Sequence, residues 1–278
     1  MGFPVDGFES ALRYDARPED IFISTYPKCG TTWMQHLVWL ILNGGEPLGP
    51  EQKMTEVIPH LEEVGAEVVG RLPDPRVIKT HLPVGLVRLD PWTRVIYVAR
   101  NPFDCAVSFF HHTRGFVNHY DFAGGTFEDY LECFISGEVD FGDYFENVSG
   151  WLARRGERRF LLTTYERMSE DSGRVVRDVA EFLGPALRRA VADEELMAKI
   201  LRHSGFAAMS KDQLRWASAR PEGMPPFVRR GVVGDWKTYF SPEGARRLIE
   251  RVEACPAALT MEAIWPDIMA EARDFARG

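Results

Sequence analysis

The chain has no excess of positive charge: 33 lysines and arginines stand against 41 aspartates and glutamates, a formal net charge of −8 over 278 residues. No global field therefore draws in a nucleic acid or a polyanionic glycan, and an anionic ligand has to be gripped locally. Cysteine is scarce as well. Cys29, Cys105, Cys133 and Cys255 are scattered, with no CxxC pair and no histidines at zinc-ligand spacing. That argues against a disulfide framework and against a metal site, and fits a reducing compartment. No apolar run approaches the roughly 20 residues that cross a bilayer; the most apolar stretch, Trp33 to Leu42, contains Gln35 and His36. The opening MGFPVDGFES lacks the basic flank of a signal peptide. The expectation is a soluble, cytoplasmic protein with no membrane or nucleic-acid partner.

Internal repeats, low-complexity tracts and Gly/Ser- or Pro-rich linkers are missing too, so residues 1–278 are expected to form a single domain. With 45% hydrophobic residues the chain can fill a large core. Short β-rich apolar runs lie at Ile21 to Thr25, Val77 to Ile78, Val95 to Ala99 and Phe160 to Thr163. Between and after them come helix-like stretches at Gly30 to Asn43, Pro102 to Thr113, Phe127 to Ile135, Tyr144 to Arg155, Arg174 to Leu183, Glu194 to Leu201 and Glu243 to Arg251. The strand runs are continuous rather than alternating, the pattern of a parallel sheet covered on both faces. The fold class is therefore α/β, three layers with a central parallel sheet and flanking helices. Lys211 to Gly234, which holds Pro221, Pro225 and Pro226, reads as a long loop.

The segment Ile21 to Trp33, IFISTYPKCGTTW, runs from a buried strand through a tight turn into an apolar helix. Free N–H groups at a helix start, the positive end of the helix dipole and a nearby ammonium together favour an oxyanion, so this is a P-loop-like cradle. Lys28 precedes Gly30 and no GK[ST] follows, so the turn is not a Walker loop. The strand ending at Ala99 then delivers Arg100-Asn101-Pro102, where a nucleoside triphosphatase carries a magnesium-binding Asp. An arginine fork meets a phosphate directly. A nucleotide held without an obligatory metal is expected.

Four segments occur in order: TYPKCGTTW, KTHLP from Lys79 to Pro83, VARNPFDCAVSFF from Val98 to Phe110, and RRGVVGDWKTYF from Arg229 to Phe240. Together they span residues 20 to 240, and by them the chain resembles the cytosolic sulfotransferases. The resemblance implies 3′-phosphoadenosine 5′-phosphosulfate (PAPS) as sulfuryl donor, PAP as product, no metal, and a small hydroxyl or amine compound as acceptor. It implies that Lys28, Cys29, Gly30, Thr31 and Thr32 hold the 5′-phosphosulfate, and that Trp33 stacks on adenine. His81 becomes the general base, with Lys28, Lys79 and Ser108 stabilising the moving charge. Arg100, Ser108, Arg229, Arg230 and Gly231 surround the 3′-phosphate, and Tyr165, Ser204, Phe206 and Met209 lie near the base.

The chemistry agrees with these roles. Negative charge grows on the leaving phosphate as the sulfur–oxygen bond breaks, and a placed ammonium stabilises that state most. A neutral imidazole can take a phenol's proton as its oxygen attacks. Core packing competes for Trp33, Ser204, Phe206 and Met209, and a solvated surface pair for Arg229 and Arg230. Cys29 stands where the family pattern has Ser, and would be a reactive thiol if the anion site lowered its pKa. Phe109, Phe110, Phe116, Phe3 and Phe8 supply an apolar acceptor pocket, while His111 and His112 replace pocket aromatics and admit a polar acceptor such as a catechol or monoamine. The family's dimer motif is broken at Ser241-Pro242 and Arg246, so a monomer or an atypical dimer is expected. Two other readings stay open: a PAPS-binding regulator without turnover, and a nucleotide-dependent phosphotransferase on a similar scaffold.

Overall fold

The structure is a computed structural model that describes residues 4–117, 119–211, 215–216 and 230–278. In chain order the elements are α1 (Val5–Leu12), β1 (Ile21–Thr25), α2 (Thr31–Leu42), α3 (Met54–Val57), α4 (Leu61–Gly70), β2 (Val77–Thr80), β3 (Arg94–Ala99) and α5 (Pro102–Gly115). They continue with α6 (Phe127–Ser136), α7 (Tyr144–Leu152), β4 (Phe160–Thr164), α8 (Tyr165–Glu170), α9 (Ser172–Leu183), α10 (Pro185–Ala190), α11 (Glu194–Ser204) and α12 (Phe206–Met209). After residues 230–241 come α13 (Pro242–Glu253), α14 (Ala258–Ile264) and α15 (Pro266–Phe275).

The four strands form one parallel sheet in the order β2-β1-β3-β4. Every residue of β1 is buried, because both of its faces are covered. Phe22, Ile78, Val95, Tyr97 and Phe160 point into one hydrophobic cluster, and Ile21, Ile23, Val77, Ile96 and Val98 into the other. The two-residue period of a strand thus divides one apolar run between two cores. From β1 the chain crosses to β2 on one side, and from β3 it crosses to β4 on the other. The carboxyl ends of β1 and β3 therefore flank the switch point, where an open α/β sheet leaves a crevice. At the opposite end, buried Asp20 takes the Arg76 Nε–H at 2.6 Å and the Tyr14 hydroxyl at 2.7 Å, clamping the starts of β1 and β2.

The helix starts follow their sequences. Asn101 accepts the Asp104 N–H and Pro102 opens α5, while Thr126, Asp143, Asp171, Asp193 and Ser241 cap α6, α7, α9, α11 and α13. The chain also forms α1, α4, α8, α14 and α15, in stretches to which the sequence pattern assigns no element. These are short helices whose apolar faces rest on the sheet layers, so tertiary burial decides them rather than propensity. Most of the loop expected at Lys211 to Gly234, including Pro221, Pro225, Pro226 and Arg229, lies outside the described residues, as does Phe3.

Candidate active site

The turn Tyr26 to Gly30 leaves β1 and enters α2 through two left-handed residues, Lys28 at φ 68° and Gly30 at φ 96°. Gly30 is required twice over: it takes that conformation freely, and a Cβ there would stand 2.9 Å from the Tyr165 ring. For Lys28 the same conformation costs about 1–2 kcal/mol. No side chain caps α2, so the first N–H groups, those of Thr31 and Thr32, remain donors at the positive end of a 12-residue helix. The Thr31 hydroxyl instead bonds the Thr25 hydroxyl at 2.7 Å, tying the helix to the strand end.

His81 follows β2 and sits against that strand end. Its Nδ1 lies 2.8 Å from the Thr25 carbonyl oxygen, which only accepts, so Nδ1 carries the hydrogen and Nε2 keeps a lone pair. Burial, then Lys79, His60 and Lys28, hold this imidazole well below the ordinary histidine range, despite the opposing hydrogen bond to Thr25. It is a neutral base at any pH near 7. Its backbone N–H donates to Glu62 Oε1 at 2.6 Å and its carbonyl accepts from Asn147 Nδ2 at 3.3 Å. His60 and Phe141 pack edge-on to the ring at 4.8 and 5.4 Å. Lys79 pairs with Ile23 across β1 and β2; burial pushes its ammonium down, with Glu62 and Glu63 opposing.

Beyond β3, buried Arg100 donates to the Lys28 carbonyl at 3.1 Å, and its guanidinium lies 4.2 Å from the centre of the Tyr165 ring. Burial alone would lower this guanidinium's pKa, but Tyr165, Asp104 and other acidic neighbours outweigh it and raise it. Its Nε and the Trp33 Nε1 are buried with no hydrogen-bond partner among the described residues. Trp33 meets Tyr165 edge-on at 5.7 Å. The uncapped amides of Thr31 and Thr32, the Lys28 turn, the buried Arg100 guanidinium with its orphaned Nε, and Trp33 are thus gathered at the carboxyl ends of β1 and β3. This donor set suits a phosphorylated nucleotide, and the imidazole sits at its inner end.

A family model described as the sulfotransferase domain matches residues 18–260. The chain belongs to the sulfotransferase family. It is 35% identical to sulfotransferase 1B1 of Mus musculus over 250 residues, 84% of this chain and 81% of that protein. With sulfotransferase 1 family member D1 of Rattus norvegicus it shares 37% identity over 244 residues, 82% of this chain and 80% of the relative. Among solved structures, mouse sulfotransferase SULT7A1 complexed with PAP superposes with a TM-score of 0.72 at 27% identity, covering 98% of this chain and 94% of that one.

The remaining expected residues of this sulfotransferase are divided between the α5 face, the Arg230–Trp236 segment and the core. Ser108 is half-buried on α5, four residues after Asp104 and three before His111, on the face turned toward the Arg230–Trp236 segment. Arg230 ion-pairs with Asp235 at 2.5 Å. Gly231, at φ 67°, packs so close to Phe206 that a Cβ would meet its ring at 2.4 Å. Phe206 is exposed, whereas Met209 is buried in the core beneath α2, where packing accounts for it. The Ser204 hydroxyl is buried and turned back toward the Leu201 carbonyl at 3.5 Å.

Two expectations need correction. The Cys29 side chain does not face the anion site: it is fully buried, 3.8 Å from Cys105 Sγ and turned toward the Pro27 carbonyl. Burial first, then Cys105, pushes its thiol well above the ordinary value, so it is no reactive thiolate, and Cys29 brings only its backbone to the turn. His111 leaves the acceptor side as well, because it bonds the Tyr239 hydroxyl at 2.8 Å. Adjacent helix residues point about 100° apart, so His112 alone joins the rings Phe109 and Phe116, at 5.9 and 4.4 Å. Phe8 is exposed on α1.

Sequence reasoning passed over Thr25, Glu62, Asp104 and Phe141. Asp104 is buried and accepts the Gly234 and Trp236 N–H groups at 2.8 and 3.1 Å, fastening the fourth motif to α5. Its signal was an acid in the first turn of a helix already capped by Asn101. Phe141 gave no such signal. It is, with Lys28, one of two non-glycine residues at positive φ among the described residues, and it lies against the His81 ring. Backbone strain of this kind collects at working sites.

Proposed function

We propose that this sulfotransferase transfers the sulfuryl group of PAPS to the hydroxyl or amine of a small, flat aromatic acceptor, with His81 as general base. The observation that carries the reading is the His81 tautomer: Nδ1–H is committed to the Thr25 carbonyl, and a neutral Nε2 is presented beside an uncapped helix start. Nε2 takes the acceptor's proton as its oxygen or nitrogen bonds to sulfur. The sulfur–oxygen bond to the nucleotide breaks in line, and the proton leaves His81 for water after release of the sulfated product. Lys28 and the amides of Thr31 and Thr32 stabilise the departing phosphate, and Lys79 and Ser108 the charge in transit. Arg100, Arg229, Arg230 and Gly231 hold the 3′-phosphate, with Trp33, Tyr165 and Phe206 around the base.

The acceptor class follows from the rings that continue from His81: Phe141, then Phe109 at 6.4 Å, then His112 and Phe116. Such a belt takes an aromatic body, and His112 is the polar group available to a second substituent, which favours phenols and catechols over steroids. Residues at the positions of the broken dimer motif are used within the chain. Lys237 pairs with Glu271, Arg246 with Glu243, and Ser241-Pro242 starts α13. A monomer or an atypical dimer is expected, and a stable dimer through the family's surface, detected in sedimentation at micromolar concentration, would overturn that.

The decisive experiment is labelled sulfuryl transfer from PAPS to a panel of phenols, catechols, monoamines and steroids, with the parent and His81→Ala. Turnover is expected to fall about a hundredfold or more, with PAP affinity within about twofold. Because burial lowers the His81 pKa, the base stays neutral below pH 6.5 and the parent's rate holds there, falling only at lower pH. An undiminished alanine variant removes His81 from the mechanism; PAP binding without transfer to any acceptor marks a regulator.

A further inference from the structure

A second imidazole, His60, lies against the base. Residues 59–62 dock beside β2 through a bridge from His60 to Lys79 and a hydrogen bond from the Lys79 N–H to the Pro59 carbonyl at 2.9 Å. This brings the His60 ring edge-on to His81, 4.8 Å between centres at 83°, both buried. Buried Glu62 joins them. Its Oε1 accepts the His81 backbone N–H at 2.6 Å and stands 3.4 Å from His60 Nε2. Its Oε2 is buried with no hydrogen-bond partner among the described residues. Glu63 Oε2 lies 4.0 Å from His60 Nδ1, so the imidazole is bracketed by two carboxylates, with Lys79 beside it.

We infer that His60 is a positioning residue for the base: anchored on Glu62, it fixes the plane of the His81 ring and keeps an anion buried beside it. The inference rests on His81 being the base. When His81 takes the acceptor's proton, an imidazolium forms in a dry site already holding Lys28 and Lys79, and the nearby fixed anion is Glu62. A bare buried carboxylate would tend to protonate. Burial raises the Glu62 carboxyl, but His60 and the His81 backbone N–H outweigh it and hold it below the ordinary range. Burial and then Lys79 keep His60 itself neutral, against Glu62 and Glu63, and its Nε2 faces Glu62 Oε1 at 3.4 Å, an electrostatic contact outside hydrogen-bond alignment. The Thr25 carbonyl sets the tautomer of His81, and Phe141 and His60 both pack edge-on against its ring.

The test compares kcat/KM against pH for the parent, His60→Phe and His60→Gln, with His81→Ala in parallel. Phenylalanine keeps a ring beside His81 and removes the Nε2 that faces Glu62, leaving Glu62 less compensated. Glu62 then tends to protonate, the anion beside His81 is lost, the His81 pKa falls further, and the acid limb is expected to move down by at least about half a pH unit, with kcat about fivefold lower. Glutamine returns a polar N–H to Glu62 and should recover kcat to within about twofold. Long-range 1H–15N spectra of the parent should show His60 as the Nε2–H tautomer, a readout that stands even if the phenylalanine variant does not fold. A His60→Phe profile superimposed on the parent's, or a parent His60 protonated at Nδ1 with a bare Nε2, overturns the inference. An inactive His81→Ala beside an unchanged His60→Phe sinks this inference alone, whereas an active His81→Ala sinks the base itself.

Discussion

The inner and outer walls of the nucleotide crevice are held by different means. On the inner wall, His81 is fixed through its ring by Thr25, through its N–H by Glu62 and through its carbonyl by Asn147, all buried groups on strand ends or packed helices. On the outer wall, Arg230 to Gly234 is an exposed loop that Asp104 fastens to α5 through two N–H groups. A base must stay within a fraction of an ångström of its proton's path, while a clamp on a phosphate can close after the ligand arrives. Strain follows the same division, since Lys28 and Phe141, the non-glycine residues at positive φ, both belong to the inner wall.

The largest effect expected from this contrast is at Lys28. Lys28→Met should lower kcat at saturating PAPS about a hundredfold, the usual cost of losing one placed stabiliser of transition-state charge. Binding of PAP, measured by calorimetry, should weaken far less than the rate. A loss confined to nucleotide affinity would move Lys28 to the clamping wall and erase the contrast between the two.

The same contrast decides what could be read from the sequence. The four strands, the turn at Lys28 to Thr32, and the Lys79-Thr80-His81 and Arg100 segments were legible, because buried parallel strands are short apolar runs and the site lies directly after three of them. The orientation of neighbours was not. That Cys29 turns into the core while the residues around it face the crevice depends on a left-handed Lys28, which no residue type announces. That His111 serves Tyr239 and His112 the ring belt depends on the helix's rotation about its axis. Helices α14 and α15 escaped notice because their apolar residues make sense only against a core built by distant segments. Glu62 and His60 reach His81 from a stretch 19 or more residues away in sequence, a distance at which spacing carries no information.

A smaller effect, and the sharper test of the outer wall, is expected at Asp104. Asp104→Asn keeps the side chain's shape and the cap region of α5 but turns one acceptor into a donor facing backbone N–H groups, so at least one buried donor on Gly234 or Trp236 loses its partner. That costs about 1–3 kcal/mol, and the loop's ordered state bears most of it, because the His81 contacts do not pass through Asp104. PAP should therefore bind about tenfold more weakly, about 1.4 kcal/mol, while kcat at saturating PAPS stays within about twofold of the parent. If kcat falls with affinity, the loop does more than retain the 3′-phosphate, and the precision assigned to the inner wall depends on the outer one being closed.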